Sequence, residues 1–249
     1  MINTIHTCGI KINPMTVHEI LSVTKGNSKP FQITGVNMEQ IALIAKNPYF
    51  ADYINSSDIV NIDGTIVYLY LKLRGFRVPQ RTLCADLLYC FLNQAHIKNE
   101  SIYLLGATQE VIEKVVNRIK DDYPGLRITG YHNGYFDSES EIVEDIAKAA
   151  PDYLFIGMPS PMKERFASKY KYVLNTRVCL GVGGMFDIIA GKANRAPAWI
   201  QKCGMEWFYR ITQNPVGHTK RILCAFFPCM SIFLKYLFEK RNQSINLCK

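Results

Sequence analysis

The stretch SIYLLGATQEVIEKVVNRIKDDYPGLRIT, residues 101–129, decides the fold. Ser101–Leu105 is a short apolar run. After the turn Gly106-Ala107-Thr108, Val111, Ile112, Val115, Val116 and Ile119 recur at helical spacing. Pro124-Gly125 then halts the helix, and Leu126–Thr129 is apolar and β-branched again. Strand, helix and strand within thirty residues is the signature of a crossover unit with parallel strands. The same rhythm extends outward to strands predicted at His6–Ile12, Phe31–Val36, Ile59–Ile62, Tyr153–Ile156 and Val178–Val182, with Ile41, Leu43 and Ile44 marking a helix after Asn37. The pattern predicts a Rossmann-like, doubly wound α/β fold with a mostly parallel sheet. Such a sheet gathers its ligands beyond the C-terminal ends of its strands.

Composition supports a folded body with an unusual end. Apolar residues make up 48% of 249 and charged ones 20%, which excludes wholesale disorder. The net charge of +8 is local: residues 192–249 hold ten Lys/Arg against two Asp/Glu, and residues 1–191 hold nineteen of each sign. The basic end is also aromatic, with Trp199, Trp207, Phe208, Tyr209, Phe226, Phe227, Phe233, Tyr236 and Phe238. Cations interleaved with large rings suit an anionic membrane surface better than a nucleic acid, so no nucleic-acid partner is expected. The apolar run Ile222–Leu234 has 13 residues and contains Pro228, short of the roughly 20 that span a bilayer. Residues 1–194 are expected to form the α/β catalytic domain, and 195–249 a helical, membrane-associating appendage. The exposed apolar tail also suits self-association into a homo-oligomer. The eight cysteines are scattered without a C-x-x-C pair, and no secretory signal pattern opens the chain. Reduced thiols in the cytoplasm are the expectation.

Several strand exits carry candidate chemistry. Gly106 opens a helix start whose amides favour a phosphate, or simply makes a tight turn. Neither G-x-G-x-x-G nor G-x-x-x-x-G-K-[ST] occurs, so dinucleotide and P-loop chemistry have no support. Asp63 follows a strand and precedes Gly64-Thr65, as a site carboxylate or as the N-cap of the next helix. Arg81 and Asp86 flank another helix start. Gly130–Phe136 is an aromatic turn containing His132. Lys163 and Glu164, after Pro159-Ser160-Pro161, look like solvated first-turn residues, and Gly181-Val182-Gly183-Gly184-Met185-Phe186-Asp187 is a third glycine-bearing exit.

Aligned in order, these blocks resemble the WecG/TagA/CpsF glycosyltransferases (glycosyltransferase family 26). The resemblance runs from about Phe31 to about Arg221 and includes Asp63-Gly64, Arg81 to Asp86, Leu104-Leu105-Gly106, Gly134-Tyr135-Phe136, Gly181 to Asp187, Arg195-Ala196-Pro197 and Gly204 to Arg210. It implies inverting, metal-independent transfer of a sugar from a UDP-sugar to a polyprenyl-diphosphate-linked saccharide. The setting it implies is the inner face of the bacterial cytoplasmic membrane, in surface polysaccharide or teichoic acid assembly. Under it, Asp63 is the general base, Arg81 contacts diphosphate or acceptor, and Tyr135 and Asp187 lie near the uridine. Arg210 belongs to a tail that closes over the site.

The chain also departs from the family's pattern. Gly35-Val36-Asn37 replaces Thr-x-Asn, so only Asn37 carries over. Pro161-Met162-Lys163-Glu164 replaces Pro-Lys-Gln-Glu, and no Arg stands shortly after Pro215, where the chain reads Val216-Gly217-His218-Thr219.

No Asp-x-Asp is present, so no metal or other cofactor is expected. The leaving diphosphate would then be met by Arg81, Lys163, Arg195, Arg210 and Arg221 together with the helix start at Gly106. A UDP-N-acetylmannosamine-like donor is the first expectation. UDP-glucose, UDP-galactose and a UDP-uronic acid paired with Lys163 are the alternatives, beside a non-catalytic nucleotide-binding module.

Overall fold

The structure is a computed structural model that describes residues 2–25, 30–237 and 242–246. Along the chain come β1 (Ile2–Thr7), β2 (Ile10–Ile12), α1 (Val17–Thr24), β3 (Phe31–Val36), α2 (Met38–Lys46), α3 (Phe50–Asn55), β4 (Ile59–Ile62), α4 (Thr65–Leu73), α5 (Cys84–Lys98) and β5 (Ser101–Gly106). Then follow α6 (Gln109–Asp122), β6 (Arg127–His132), α7 (Glu139–Ala149), β7 (Tyr153–Gly157), α8 (Met162–Tyr170), β8 (Val178–Gly181), α9 (Met185–Ile189), α10 (Ala198–Lys202), α11 (Glu206–Gln213), α12 (Pro215–Leu237) and β9 (Asn242–Asn246).

Strands β3 to β8 form one sheet in the order β4-β3-β8-β7-β5-β6, and every pairing in it is parallel. This is the predicted Rossmann-like α/β architecture. Inner strands β5, β7 and β8 are nearly continuous apolar runs, and β3 adds buried Gln32 and Thr34, because helices cover both faces, as all-parallel sheets require. On one face α5 and α6 pack Leu88, Phe91, Ile112 and Val115 against Ile33, Leu104, Phe155 and Leu180. On the other, Ile142 and Ile146 of α7 and Phe166 of α8 meet Leu105, Leu154 and Ile156. The chain leaves β3 toward one edge of the sheet and β5 toward the other, with β8 and β7 between them. The C-terminal ends of these four strands therefore flank a crevice of the kind that holds ligands in open α/β sheets.

Two predicted elements change. The run His6–Ile12 is a hairpin, not one strand, because Cys8 (φ 56°) and Gly9 (φ 75°) make a two-residue left-handed turn between β1 and β2. Strand β6 continues to His132, so this histidine ends a strand at the sheet edge instead of sitting in a loop, and its ring nitrogen Nδ1 lies 2.8 Å from the Asn133 carbonyl.

The basic, aromatic end folds back on the body. Helix α12 continues through Pro228 and buries Ala225, Cys229 and Phe233, one row at i, i+4 and i+8, in the core shared by α2, α3, α4, Val36 and Ile62. Phe233 stacks on Tyr70 of α4 with ring centroids 3.9 Å apart and planes 6° apart. Strand β9 pairs antiparallel with β1. Among the described residues no helix is long and apolar enough to cross a membrane. Phe238 and Cys248 lie outside the described residues.

This packing has a measurable weight. Phe233→Ala is expected to cost about 3–5 kcal/mol of stability, whereas Phe227→Ala, at a ring 71% exposed on the same helix, stays within about 0.5 kcal/mol. Urea denaturation of the two variants checks the contrast.

Candidate active site

A cleft of about 620 Å³ opens at the C-terminal edge of the sheet. Its floor is made by strand exits: Asn37 after β3, Asp63-Gly64 after β4, Ala107-Thr108 after β5, Gly157–Ser160 at β7, and Gly181–Asp187 from β8 into α9. Its far wall comes from the folded-back end, through Glu206, Trp207 and Arg210 of α11 and His218, Arg221, Ile222 and Phe226 of α12.

Asp63 sits at the centre of the floor. It does not cap α4, whose N-cap is Gly64 without a side-chain hydrogen bond. Its Oδ1 instead accepts from the amide of Cys84 at 2.9 Å, at the first residue of α5. A carboxylate at a helix N-terminus is stabilised as the anion by the free amides there. The backbone is fixed as well, since Asp63 N and Gly64 N both donate to the Val36 carbonyl at 3.1 Å. Oδ2 accepts no hydrogen bond from the described residues. One oxygen is anchored and the other is open, as a general base requires. The same carboxylate and complete burial push the Cys84 thiol well above the usual range, with burial the larger cause, so this cysteine stays protonated.

Asn37 caps α2, accepting from Glu39 N at 2.8 Å, while Gln40 returns a bond to Asn37 N in a capping box. Gly64 lies directly against it, where a Cβ would fall 2.7 Å from Asn37 Cα. Gly106 (φ 137°) is at the end of β5 and outside the cleft lining. A Cβ there would fall 2.5 Å from the Gly157 carbonyl, so the close approach it permits is that of the β7 backbone. Tyr135 stands at the cleft rim, 77% exposed, and Asp187 pairs with Lys192 at 3.6 Å.

Lys163 and Glu164 are buried, contrary to the solvated first turn that the sequence suggests. Glu164 Oε1 receives Lys163 Nζ at 2.6 Å, Ser160 Oγ at 2.7 Å and Gln40 Nε2 at 3.3 Å, and Lys163 Nζ also bonds Ser160 Oγ. Glu164 Oε2 has no hydrogen-bond partner among the described residues. The Lys163 stem passes over Gly181, where an added Cβ would lie 3.2 Å from its Cδ. Two charges survive burial here because each answers the other and both are hydrogen-bonded.

The arginines divide. Arg81 donates to the Gln201 carbonyl at 2.9 Å and pairs with Glu206 at 3.0 Å, tying the α10–α11 segment to the Asp63 turn. Arg221 forms a two-pronged pair with Glu39 of α2. Arg210 lines the cleft, exposed and without an ion pair to the described residues. Asp86 and Arg195 pair with each other, Arg195 above the Tyr89 ring, and neither lines the cleft.

Sequence reasoning left out Gln40, Ser160, Glu206, Trp207 and His218. Their signals were present: the capping-box spacing from Asn37, the proline-flanked serine, the Glu-Trp block, and the stretch in which the family arginine is absent. Among the described residues no group of three or more His, Cys, Asp or Glu converges as a metal-binding set.

A parallel α/β sheet with an anchored carboxylate and several cations at its C-terminal edge is a ligand-binding layout, and comparison with known proteins gives its class. The chain belongs to the glycosyl transferase WecG/TagA/CpsF family, whose sequence model matches residues 5–243, and it is a glycosyltransferase. It is 34% identical over 183 residues to the N-acetylglucosaminyldiphosphoundecaprenol N-acetyl-beta-D-mannosaminyltransferase of Bacillus subtilis (strain 168), covering 74% of this chain and 72% of that one. A protein of the same name from Staphylococcus aureus (strain NCTC 8325 / PS 47) is 32% identical over 197 residues, 76% of each chain.

The buried pair makes a clear prediction. Lys163→Met strands the Glu164 carboxylate and is expected to cost about 3–5 kcal/mol. The double variant Lys163→Met, Glu164→Leu recovers most of that loss, and a double-mutant cycle by chemical denaturation measures the coupling.

Proposed function

We propose that the cleft takes a UDP-sugar at the sheet edge and transfers the sugar, with inversion, to the hydroxyl of a polyprenyl-diphosphate-linked saccharide. The observation that carries this reading is the Asp63 carboxylate, with Oδ1 fixed by the Cys84 amide and Oδ2 open in the cleft. The acceptor oxygen forms a bond to C1 as its proton passes to Asp63 Oδ2. The bond from C1 to the UDP oxygen breaks, and its electron pair leaves on the diphosphate. The developing charge is met by cations and by helix N-termini, without a metal ion. Arg210 is the ready cation. Arg81 and Arg221 become available when the diphosphate competes with Glu206 and Glu39. Tyr135 and Asp187 take the uridine end.

The relatives, named for the transfer of an N-acetylmannosaminyl group to N-acetylglucosaminyl-diphosphoundecaprenol, support an N-acetylhexosamine donor and a lipid-linked acceptor. The Lys163 charge is already matched by Glu164. This removes the reason to favour a uronic-acid donor. Residues 195–249 are the part that seats the protein on the inner face of the cytoplasmic membrane. Support comes from the exposed Trp199, Phe208 and Phe227 among the basic residues of that segment.

An assay with a panel of UDP-sugars, a short-chain N-acetylglucosaminyl-diphosphate lipid and EDTA tests the reading. Product from UDP-N-acetylmannosamine, undiminished by EDTA, is expected. Asp63→Asn keeps the bond from the Cys84 amide and is expected to lower kcat by about 10²–10⁴-fold with UDP affinity unchanged. An Asp63→Asn enzyme at the wild-type rate would assign the base elsewhere.

A further inference from the structure

We infer that His218 is a diphosphate ligand of this cleft and that nucleotide binding is coupled to its protonation. The inference rests on the reading of the cleft as a UDP-sugar site. His218, Arg221, Ile222, Ala225 and Phe226 stand at i, i+3, i+4, i+7 and i+8 on α12, and all five line the cleft. That spacing is a single helical face, so His218 belongs to the same wall as Arg221. It is half-buried, and its ring makes no hydrogen bond to the described residues. Asn214 caps the helix start beneath it, through Asn214 Oδ1 to Gly217 N at 3.0 Å and His218 N to Asn214 O at 3.0 Å.

The charges around it show what is lacking. On the α11–α12 side of the cleft, Arg221 is matched by Glu39 of α2, Lys192 by Asp187 of α9, and Arg81 by Glu206 of α11. Asp63 lies on the floor with its side chain bound to the Cys84 amide, and its backbone carbonyl accepts from Arg81 at 3.5 Å. Arg210 of α11 is the cation left over among the described residues. A sugar-linked diphosphate carries two negative charges, and one arginine answers one of them. A protonated His218 supplies the second without breaking an existing pair.

The free protein holds this proton off. Burial, then the nearby Arg210 and Arg221 charges, depress the His218 imidazole below its usual range. A diphosphate placed among the three groups reverses the electrostatic cause and raises it. The sign follows: where the bound form holds more protons than the free form, affinity rises as pH falls. The gain approaches about tenfold per pH unit between the free and bound titration points.

Titration calorimetry of UDP into the wild-type protein, in buffers of different ionisation enthalpy from pH 6 to 8, tests this. The terminal phosphate of UDP itself titrates near pH 6, which is common to all variants and cancels in comparisons. Wild type is expected to take up a fraction of a proton more than His218→Gln. Its affinity advantage over that variant should grow about tenfold from high to low pH. His218→Arg, with a permanent charge, should bind tightly with no such dependence. In the wild-type protein, the His218 ring resonances should titrate at higher pH with UDP bound than without. Equal proton uptake by wild type and His218→Gln, or a His218 titration unmoved by UDP, overturns the inference and leaves the nucleotide site standing. Failure of the wild type to bind UDP at any pH overturns both.

Discussion

The hydrogen bond from the Cys84 amide to Asp63 Oδ1 joins the end of β4 to the start of α5, and the cleft is built around it. It needs room that only a missing side chain supplies. A Cβ on Gly35 would fall 2.3 Å from Cys84 Sγ and 3.0 Å from Asp63 Cβ. The thiol of Cys84 fills the space. The carboxylate thus rests on a helix N-terminus and on a packed sulfur, and an anchored side chain loses little freedom when a ligand arrives.

The folded-back C-terminal segment completes what the sheet edge leaves open. Helix α12 uses one stripe along its length for two duties. His218, Ile222 and Ala225, with Arg221 beside them, border the cleft, and Ala225, Cys229 and Phe233 carry the stripe on into the core with α2 and α4. The core end of the helix holds the cleft end in place. Arg221 of this helix is already engaged by Glu39, and Glu206 of α11 by Arg81, which leaves Arg210 as the cation of this wall without an ion pair to the described residues.

The Lys163–Glu164 pair bears on specificity. An ammonium in a buried site is tolerable only with a counter-charge in contact; Glu164 provides it, and Ser160 and Gln40 add hydrogen bonds to the pair. The pair adds no net charge to the floor, which leaves the electrostatic character of the cleft to the α11–α12 wall.

Alternating apolar runs and the 3.6-residue spacing from Val111 to Ile119 were enough to place the six parallel strands, because each run must bury both faces and each helix one. The strand exits with Asp63, Asn37 and Gly181–Asp187 were legible for the same reason: in a parallel sheet they share one edge. Partners across long sequence separations were not. Nothing local at Arg195 shows that it turns to Asp86 while Arg210 remains in the cleft. Spacing alone does not reveal that Lys163 and Glu164 are buried beside Gln40 and Gly181, or that the basic end packs on α4 through Phe233. The hairpin at Cys8-Gly9 was hidden because apolar residues on both sides read as one strand. The sequence by itself determined the sheet, its functional edge and the residue types gathered there, since periodicity and turn chemistry act over a few residues. Only the tertiary structure decided which charges meet and which stay free, since that depends on strand order and on where the last helix docks.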